Sequence, residues 1–110
     1  MRAAIALAIA LAACGDNSLT LRDAYREISS VTCEANLRCR GDVYVAEYGT
    51  TELEPCIENL TAAELGTRDG TAPAQITKLN ACMDDLSAMT CAEWIGQGQW
   101  PGACVTVDKP

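Results

Sequence analysis

The chain has 110 residues, with fifteen acidic against eight basic side chains, a net charge of −7 and no histidine. Without histidine, neither a histidine general base nor a histidine-ligated metal is possible, and the acidic balance argues against nucleic-acid binding. Large apolar residues are few and phenylalanine is absent, so we expect one small domain whose core needs covalent support. No motif indicates a cofactor, and we expect none.

The N-terminus has the features of an export signal. Arg2 supplies a positive charge, and the run Ala3 to Ala13 is apolar but shorter than the roughly 20 residues that a membrane-spanning helix needs. The segment Leu11-Ala12-Ala13-Cys14 resembles the bacterial lipobox, in which Leu and two small residues precede a cysteine. The resemblance implies that residues 1–13 are a cleaved lipoprotein signal peptide and that Cys14 becomes diacylglyceryl-modified and acylated. The alternative is an ordinary signal peptide cut near Ala13, with an incidental thiol at Cys14.

The lipobox also predicts the domain organisation. Residues 14–20 are then the lipidated cysteine with a short tether, and residues 21–110 form the domain. The tether segment 15–18 spans at most roughly 14 Å, so the domain is expected close to the membrane, held by acyl chains that anchor it firmly. Enteric bacteria retain lipoproteins in the inner membrane when Asp follows the lipidated cysteine. Here Gly15 follows it and the aspartate is Asp16, so we expect a lipid-anchored protein of the cell envelope, sorted to the outer membrane.

Six cysteines remain once Cys14 is assigned to lipid: Cys33, Cys39, Cys56, Cys82, Cys91 and Cys104. In a small exported chain, an even set of this kind predicts three disulfide bonds. A structural zinc site is the competing interpretation. Zinc-binding cysteines usually occur in pairs about two to four residues apart, and no two of these six are so close, which favours disulfides.

The first predicted helix covers residues 21–38, where apolar side chains recur at helical spacing before Gly41 ends it. A Thr-x-x-acidic motif precedes this helix and recurs along the chain. Each copy predicts a helix start, because the threonine hydroxyl accepts an unpaired backbone N–H and the acidic residue reaches back. The four copies are Thr20–Asp23, Thr51–Glu54, Thr61–Glu64 and Thr90–Glu93.

The middle of the chain is predicted to hold a loop and a short helix. Residues 40–50 are rich in valine and tyrosine and could form a short strand, but no second strand is evident to pair with it. We interpret them as a loop packed on the helices. A second helix is predicted over residues 52–60, followed by a single turn over residues 62–65 that ends at Gly66.

The C-terminal half is predicted to hold two more helices, one over residues 73–89 and one that starts after Thr90. A tail pinned by Cys104 follows. The predicted fold class is therefore all-α, a small disulfide-stapled bundle of about four helices.

No group of side chains indicates catalysis. Asp84 and Asp85 are adjacent on a helix, where neighbours point about 100° apart, so a solvated face is the better interpretation. Glutamates near the start of the short helix are explained by its dipole. Trp94 and Trp100 are predicted to cover the edge of a small core. Together with Met83 and Met89 they are the only group that suggests an adaptable apolar pocket.

The predicted helices give a preferred disulfide pattern and one alternative. Cys39 ends the first helix and is predicted to pair with Cys56 on the next element. Cys91 is predicted to pair with Cys104 in the tail, and Cys33 with Cys82 between the two long helices. Because Cys33 lies off the apolar stripe of its helix, Cys33–Cys104 together with Cys82–Cys91 is the alternative.

The cysteine layout resembles that of small six-cysteine helical lipoproteins found in myxobacterial-type proteomes. The resemblance covers about residues 30–104 and lies in four segments, CEANLRC, EPC, ACMDDLSAMTCAEW and PGAC. It implies a helical fold and carries over no catalytic residue. We therefore expect a membrane-anchored envelope lipoprotein that is not an enzyme and serves as a structural module or binds an unknown envelope protein. The alternative is a small carrier of apolar ligands or lipids in the envelope.

Overall fold

The computed structural model describes residues 19–97 and 100–109. Within these residues the chain forms six helices: α1 (Leu21–Cys39), α2 (Gly41–Tyr48), α3 (Glu54–Leu65), α4 (Ile76–Ser87), α5 (Cys91–Gln97) and α6 (Gly102–Val105). The predicted all-α class is confirmed. None of the helices in the described ranges has the length and hydropathy to cross a membrane. The predicted signal peptide 1–13, the lipidation site Cys14 and tether residues 15–18 lie outside the described residues.

Helix α1 is the centre of the fold. It starts as predicted, because Oγ1 of Thr20 accepts a hydrogen bond from the backbone N–H of Asp23 at 3.1 Å and so satisfies one of the unpaired donors of the first turn. Helices α2, α3, α4 and α5 all pack on it. Its buried stripe consists of Leu21, Ala24, Tyr25, Ile28, Ser29, Thr32, Cys33 and Ala35.

The buried side chains form two clusters along α1. The larger cluster joins the first half of α1 to α3, α4 and the tail, and contains Leu21, Ala24, Tyr25, Ile28, Leu65, Leu79, Cys82, Leu86, Cys104 and Val107. The smaller cluster joins the second half of α1 to α2 and α3, and contains Cys33, Tyr44, Cys56 and Ile57. Each cluster holds only a few large apolar side chains, so covalent bonds supply much of the support that the core lacks.

The prediction of a loop over residues 40–50 is wrong, because most of this segment is α2. Arg40 leaves helical geometry at φ −140° and ψ 54°, so the chain turns there and Gly41 begins a new helix. Gly49 ends it with φ 71°, in the left-handed region that glycine adopts without a clash at Cβ. Valine and tyrosine favour extended structure, but the burial of the Tyr44 side chain against α1 and α3 outweighs that local preference.

Helix α3 is continuous, so the predicted break before residue 62 is wrong. Thr61, expected to cap a separate turn, is buried inside the helix with 4% of its surface exposed. The predicted cap at Thr51 is also wrong, since Leu53 immediately precedes the helix and makes no side-chain cap. Pro55 lies in the first turn, where the missing N–H is tolerated.

The predicted capping box before α5 is confirmed. The backbone N–H of Thr90 donates to Oε1 of Glu93 at 2.8 Å, and the backbone N–H of Glu93 donates to Oγ1 of Thr90 at 3.2 Å. This reciprocal pair satisfies two donors at once.

Helix α4 starts at Ile76, later than the predicted Pro73. The residues before it hydrogen-bond to two distant parts of the chain. The N–H of Ala74 donates to the carbonyl of Leu19 at 3.1 Å, and the N–H of Gln75 donates to the carbonyl of Val107 at 2.8 Å. These bonds join the start of α1 to the C-terminal tail, which also contains the unpredicted helix α6.

Candidate functional site

All six cysteines of the described residues are paired, in the bonds Cys33–Cys56, Cys39–Cys91 and Cys82–Cys104, with Sγ–Sγ distances of 1.99, 2.02 and 2.02 Å. The prediction of three disulfides is confirmed, and a thiolate zinc site is ruled out because every one of these sulfurs is in a disulfide. The preferred pattern, Cys39–Cys56 with Cys91–Cys104 and Cys33–Cys82, is wrong. The alternative pattern, Cys33–Cys104 with Cys82–Cys91, is wrong as well.

The pairing prediction failed because of two local assumptions. Cys39 was expected to meet Cys56 across a short loop, but α2 occupies that connection, and Cys39 meets the start of α5 at Cys91 instead. Cys33, which is predicted to lie off the apolar stripe of α1, is fully buried because α3 packs against that side of the helix. Its Cα lies 6.0 Å from that of Cys56.

The three disulfides differ in their exposure to solvent. Cys33, Cys56, Cys82 and Cys104 are each at most 1% exposed. Cys91 is exposed and Cys39 is half-buried. Cys39–Cys91 is therefore the only one of the three bridges that is not buried in the core, and the one that we expect a dissolved thiol to attack first.

A cleft lies among the last turns of α1, helix α2 and helix α3, and we call it the α2 cleft. Its volume is about 200 Å³ and it is partly open to solvent. It is lined by Asn36, Arg40, Val43, Tyr44, Glu47, Tyr48, Asn59 and Leu60. No motif in the sequence pointed to it, because its three walls come from helices that meet only in the folded domain.

Two tyrosines form one wall of the α2 cleft. The Tyr44 side chain is 2% exposed, and its hydroxyl donates to the backbone carbonyl of Glu52. Its ring centroid lies 4.8 Å from that of Tyr48, with an angle of 45° between the planes. The hydroxyl of Tyr48 accepts a hydrogen bond from Nδ2 of Asn59 at 3.4 Å. Burial raises the pKa of Tyr44, and the neighbouring Tyr48 and Glu52 raise it further, so this hydroxyl remains a proton donor at neutral pH.

A second polar cluster lies between α3 and the C-terminal tail. The guanidinium carbon of Arg68 is 5.0 Å from the centroid of the Tyr25 ring, and its Nη1 is 2.8 Å from Oδ2 of Asp108. Its Nε donates to the carbonyl of Leu65 at 3.2 Å, while Nη2 donates to the carbonyl of Glu64. Because these are the last carbonyls of α3, Arg68 closes that helix and attaches the tail to it.

The other side chains that the sequence singled out lie on the surface or at the edge of the core. Asp84 and Asp85 are exposed on α4, as a solvated face requires. Glu54 pairs with Arg26 at 2.7 Å on the surface. The group that suggested an apolar pocket, Met83, Met89, Trp94 and Trp100, packs partly buried against the larger core cluster. These side chains cover the edge of the core, as predicted for the tryptophans.

Comparisons with protein-family models, curated proteins and solved structures find no match for this chain. Among the described residues, no three His, Cys, Asp or Glu side chains gather in a way that could hold a metal ion. Function therefore has to be inferred from the disulfides, the α2 cleft and the N-terminal sequence.

Proposed function

We propose that this protein is a lipid-anchored lipoprotein of the bacterial cell envelope and that its domain is a non-enzymatic module with a structural or partner-binding role. The observation that carries the proposal is the cysteine pairing. Six of the seven cysteines bind one another in three disulfides, so none of them is available to Cys14. The odd cysteine lies at the one position where the sequence resembles a lipobox.

The disulfides support a compartment outside the cytoplasm, since cytosolic thiols are kept reduced. They also suit a domain with a small core, because each closed loop limits the freedom of the unfolded chain. The resemblance to small six-cysteine helical lipoproteins points the same way. Gly15 after the modified cysteine favours the outer membrane as the final location.

The carboxylates and the apolar side chains of the described surface favour a binding role over catalysis. Its carboxylates are solvated, as at Asp84 and Asp85, paired with arginines, as at Glu54 and Asp108, or bound to nearby backbone N–H groups, as at Asp69 and Glu93. Large apolar side chains are exposed at Val43, Val45, Ile76, Ile95 and Val105. A partner that covers some of these side chains removes apolar surface from water, which favours association, and an envelope protein is the partner we propose.

The short tether implies that the domain lies close to the membrane. Because residues 15–18 span at most roughly 14 Å, α1 starts next to the membrane surface. A partner would therefore be another protein at that surface and not one deep in the periplasm.

The proposal is tested by expressing the full gene in a bacterium with an outer membrane and analysing the mature protein by mass spectrometry. We expect an N-terminal peptide that starts at Cys14 and carries a diacylglyceryl group and an acyl chain. Density separation should place the protein in the outer-membrane fraction. The control Cys14→Ser should leave the disulfides unchanged, carry no lipid and be absent from the outer-membrane fraction. A wild-type protein that is soluble, with an unmodified thiol at Cys14, would contradict the proposal.

A further inference from the structure

The α2 cleft combines hydrogen-bonding groups with an aromatic wall in a space the size of one small ring. We propose that it binds a single neutral pyranose unit of a glycan chain. This inference goes beyond the proposed envelope role and does not depend on the lipid anchor, because every residue of the cleft belongs to α1, α2, α3 or, in the case of Arg40, the turn between α1 and α2.

The polar groups of the cleft suit sugar hydroxyls, each of which both donates and accepts hydrogen bonds. Asn36 and Asn59 contribute amides that offer donors and an acceptor each, Arg40 contributes donors, and Glu47 contributes acceptors. The hydroxyl of Tyr48 accepts from Asn59 and can donate its own proton into the cleft. The positive charge of Arg40 and the negative charge of Glu47 balance, which favours a neutral ligand over an anion or a cation.

The apolar side of the cleft suits the C–H face of a pyranose. The Tyr48 ring and the Leu60 side chain are half-buried, and Val43 is 50% exposed, so all three present apolar surface to a ligand. The buried Tyr44 ring packs against the Tyr48 ring, with 4.8 Å between their centroids. A ring that is apolar on one face and polar at its edge matches this arrangement.

The size and shape of the cleft limit the ligand to one sugar unit. The volume of about 200 Å³ is below the roughly 300–1,000 Å³ of pockets for drug-sized ligands. Because the cleft is open to solvent, the bound unit can belong to a longer chain. With few contacts to a single ring, we expect a dissociation constant in the millimolar range, roughly −4 kcal/mol by the usual conversion.

Two disulfides hold the walls of the cleft in place. Asn36 and Asn59 each lie one helical turn after a cysteine of the Cys33–Cys56 bond, so this bond fixes the spacing between the two amides. Arg40 follows Cys39, which is bonded to Cys91. A cleft fixed in advance loses less freedom when a ligand binds.

The test is saturation-transfer NMR on the mature full-length protein, purified in a detergent without sugar groups. The probes are N-acetylglucosamine, galactose and glucose, with glucuronate as an anionic sugar and glycine as a zwitterion. We expect saturation of the ring protons of at least one neutral pyranose. An oligosaccharide of that sugar should bind at least as well as the free unit, since the cleft is open.

Matched variants locate the binding. Arg40→Ala and Glu47→Gln should each weaken binding about tenfold, the loss expected for one charge-assisted hydrogen bond. Arg38→Ala and Asp42→Asn make the same charge changes at nearby residues outside the cleft and should leave affinity unchanged. The proposal is overturned if no neutral sugar binds, if glycine or only glucuronate binds, or if the cleft variants bind like their controls. None of these outcomes bears on whether Cys14 is lipidated.

Discussion

The guanidinium group of Arg68 lies against the face of the Tyr25 ring, with its central carbon 5.0 Å from the ring centroid. Tyr25 is in the first half of α1, and Arg68 follows α3. The same guanidinium group binds Asp108 in the tail at 2.8 Å. One side chain thereby joins three segments that are far apart in the sequence. The Tyr25 ring also stacks with the Trp100 ring, at a centroid distance of 6.2 Å.

Replacing Arg68 should therefore destabilise the domain more than replacing an ordinary surface arginine. We expect Arg68→Ala to lower the free energy of unfolding by about 1–2 kcal/mol, through loss of the cation–π contact and the helix-closing hydrogen bonds. Arg68→Lys should cause most of the same loss of stability, because an ammonium group cannot replace the planar guanidinium group and its directed N–H donors. Arg38→Ala, which breaks the exposed pair with Glu34 on α1, should change stability by less than about 0.5 kcal/mol. Urea denaturation measures all three, and equal losses for Arg68→Ala and Arg38→Ala would contradict the role given to Arg68.

Two glycines are expected to respond differently to the same substitution. Gly49 has φ 71° and ψ 13°, a left-handed conformation that alanine adopts at a cost of about 1 kcal/mol. Gly66 has φ 59° and ψ −124°, outside the regions open to residues with a Cβ. Neither position has an atom within 4 Å of an added Cβ, so the backbone alone decides the outcome. Gly66→Ala should lower the unfolding free energy by at least about twice as much as Gly49→Ala. Urea denaturation measures both variants. A larger loss for Gly49→Ala would show that the backbone after α3 changes conformation to accommodate the alanine.

Local signals in the sequence predicted local structure at two of the four copies of the Thr-x-x-acidic motif. The helix starts at Thr20 and Thr90 followed from a short motif, because each threonine binds a backbone group three residues away. The same motif failed at Thr51, since Leu53 precedes α3 without a side-chain cap, and at Thr61, where the side chain is buried inside α3. Whether such a motif caps a helix depends on how its segment packs against distant parts of the chain. Four residues alone carry no information about that packing.

The disulfide pattern and the α2 cleft depend on that same distant packing. Cys39 and Cys91 are 52 residues apart and meet only because α5 packs against the end of α1. The cleft could have been found in the sequence only from the equal spacing of Asn36 after Cys33 and of Asn59 after Cys56. That spacing becomes informative only once the Cys33–Cys56 bond is known.

Tyr25 should make the stability of the domain depend on alkaline pH. Burial raises its pKa above the ordinary value, with the nearby charges of Asp108 and Glu64 adding to the effect, although Arg68 lowers it. A tyrosine whose pKa is higher in the folded state stabilises that state fully below the unfolded pKa of about 10. This contribution is lost as the pH rises through the folded value. We expect the unfolding free energy to decline above about pH 10 and Tyr25→Phe to show a shallower decline. Parallel pH profiles for wild type and variant would contradict this expectation.

The difference in exposure among the disulfides predicts their order of reduction. Cys91 is exposed and Cys39 half-buried, whereas the sulfurs of the other two bonds lie in the core. A dissolved phosphine or thiol must reach a sulfur to attack it, so Cys39–Cys91 should open first, without unfolding.

Brief treatment of the native protein with a mild reductant, followed by alkylation and peptide mapping, should label Cys39 and Cys91 and leave the other four cysteines of the domain bonded. The bond closes a separation of 52 residues, so its loss should lower the unfolding free energy by about 4 kcal/mol on the chain-entropy estimate. The double variant Cys39→Ser with Cys91→Ser should show the same reduced stability and take up no label under these mild conditions. Simultaneous labelling of Cys82 or Cys33 in the wild-type protein would mean that the reductant acts on an unfolded state, and the order of reduction argued from exposure would then be wrong.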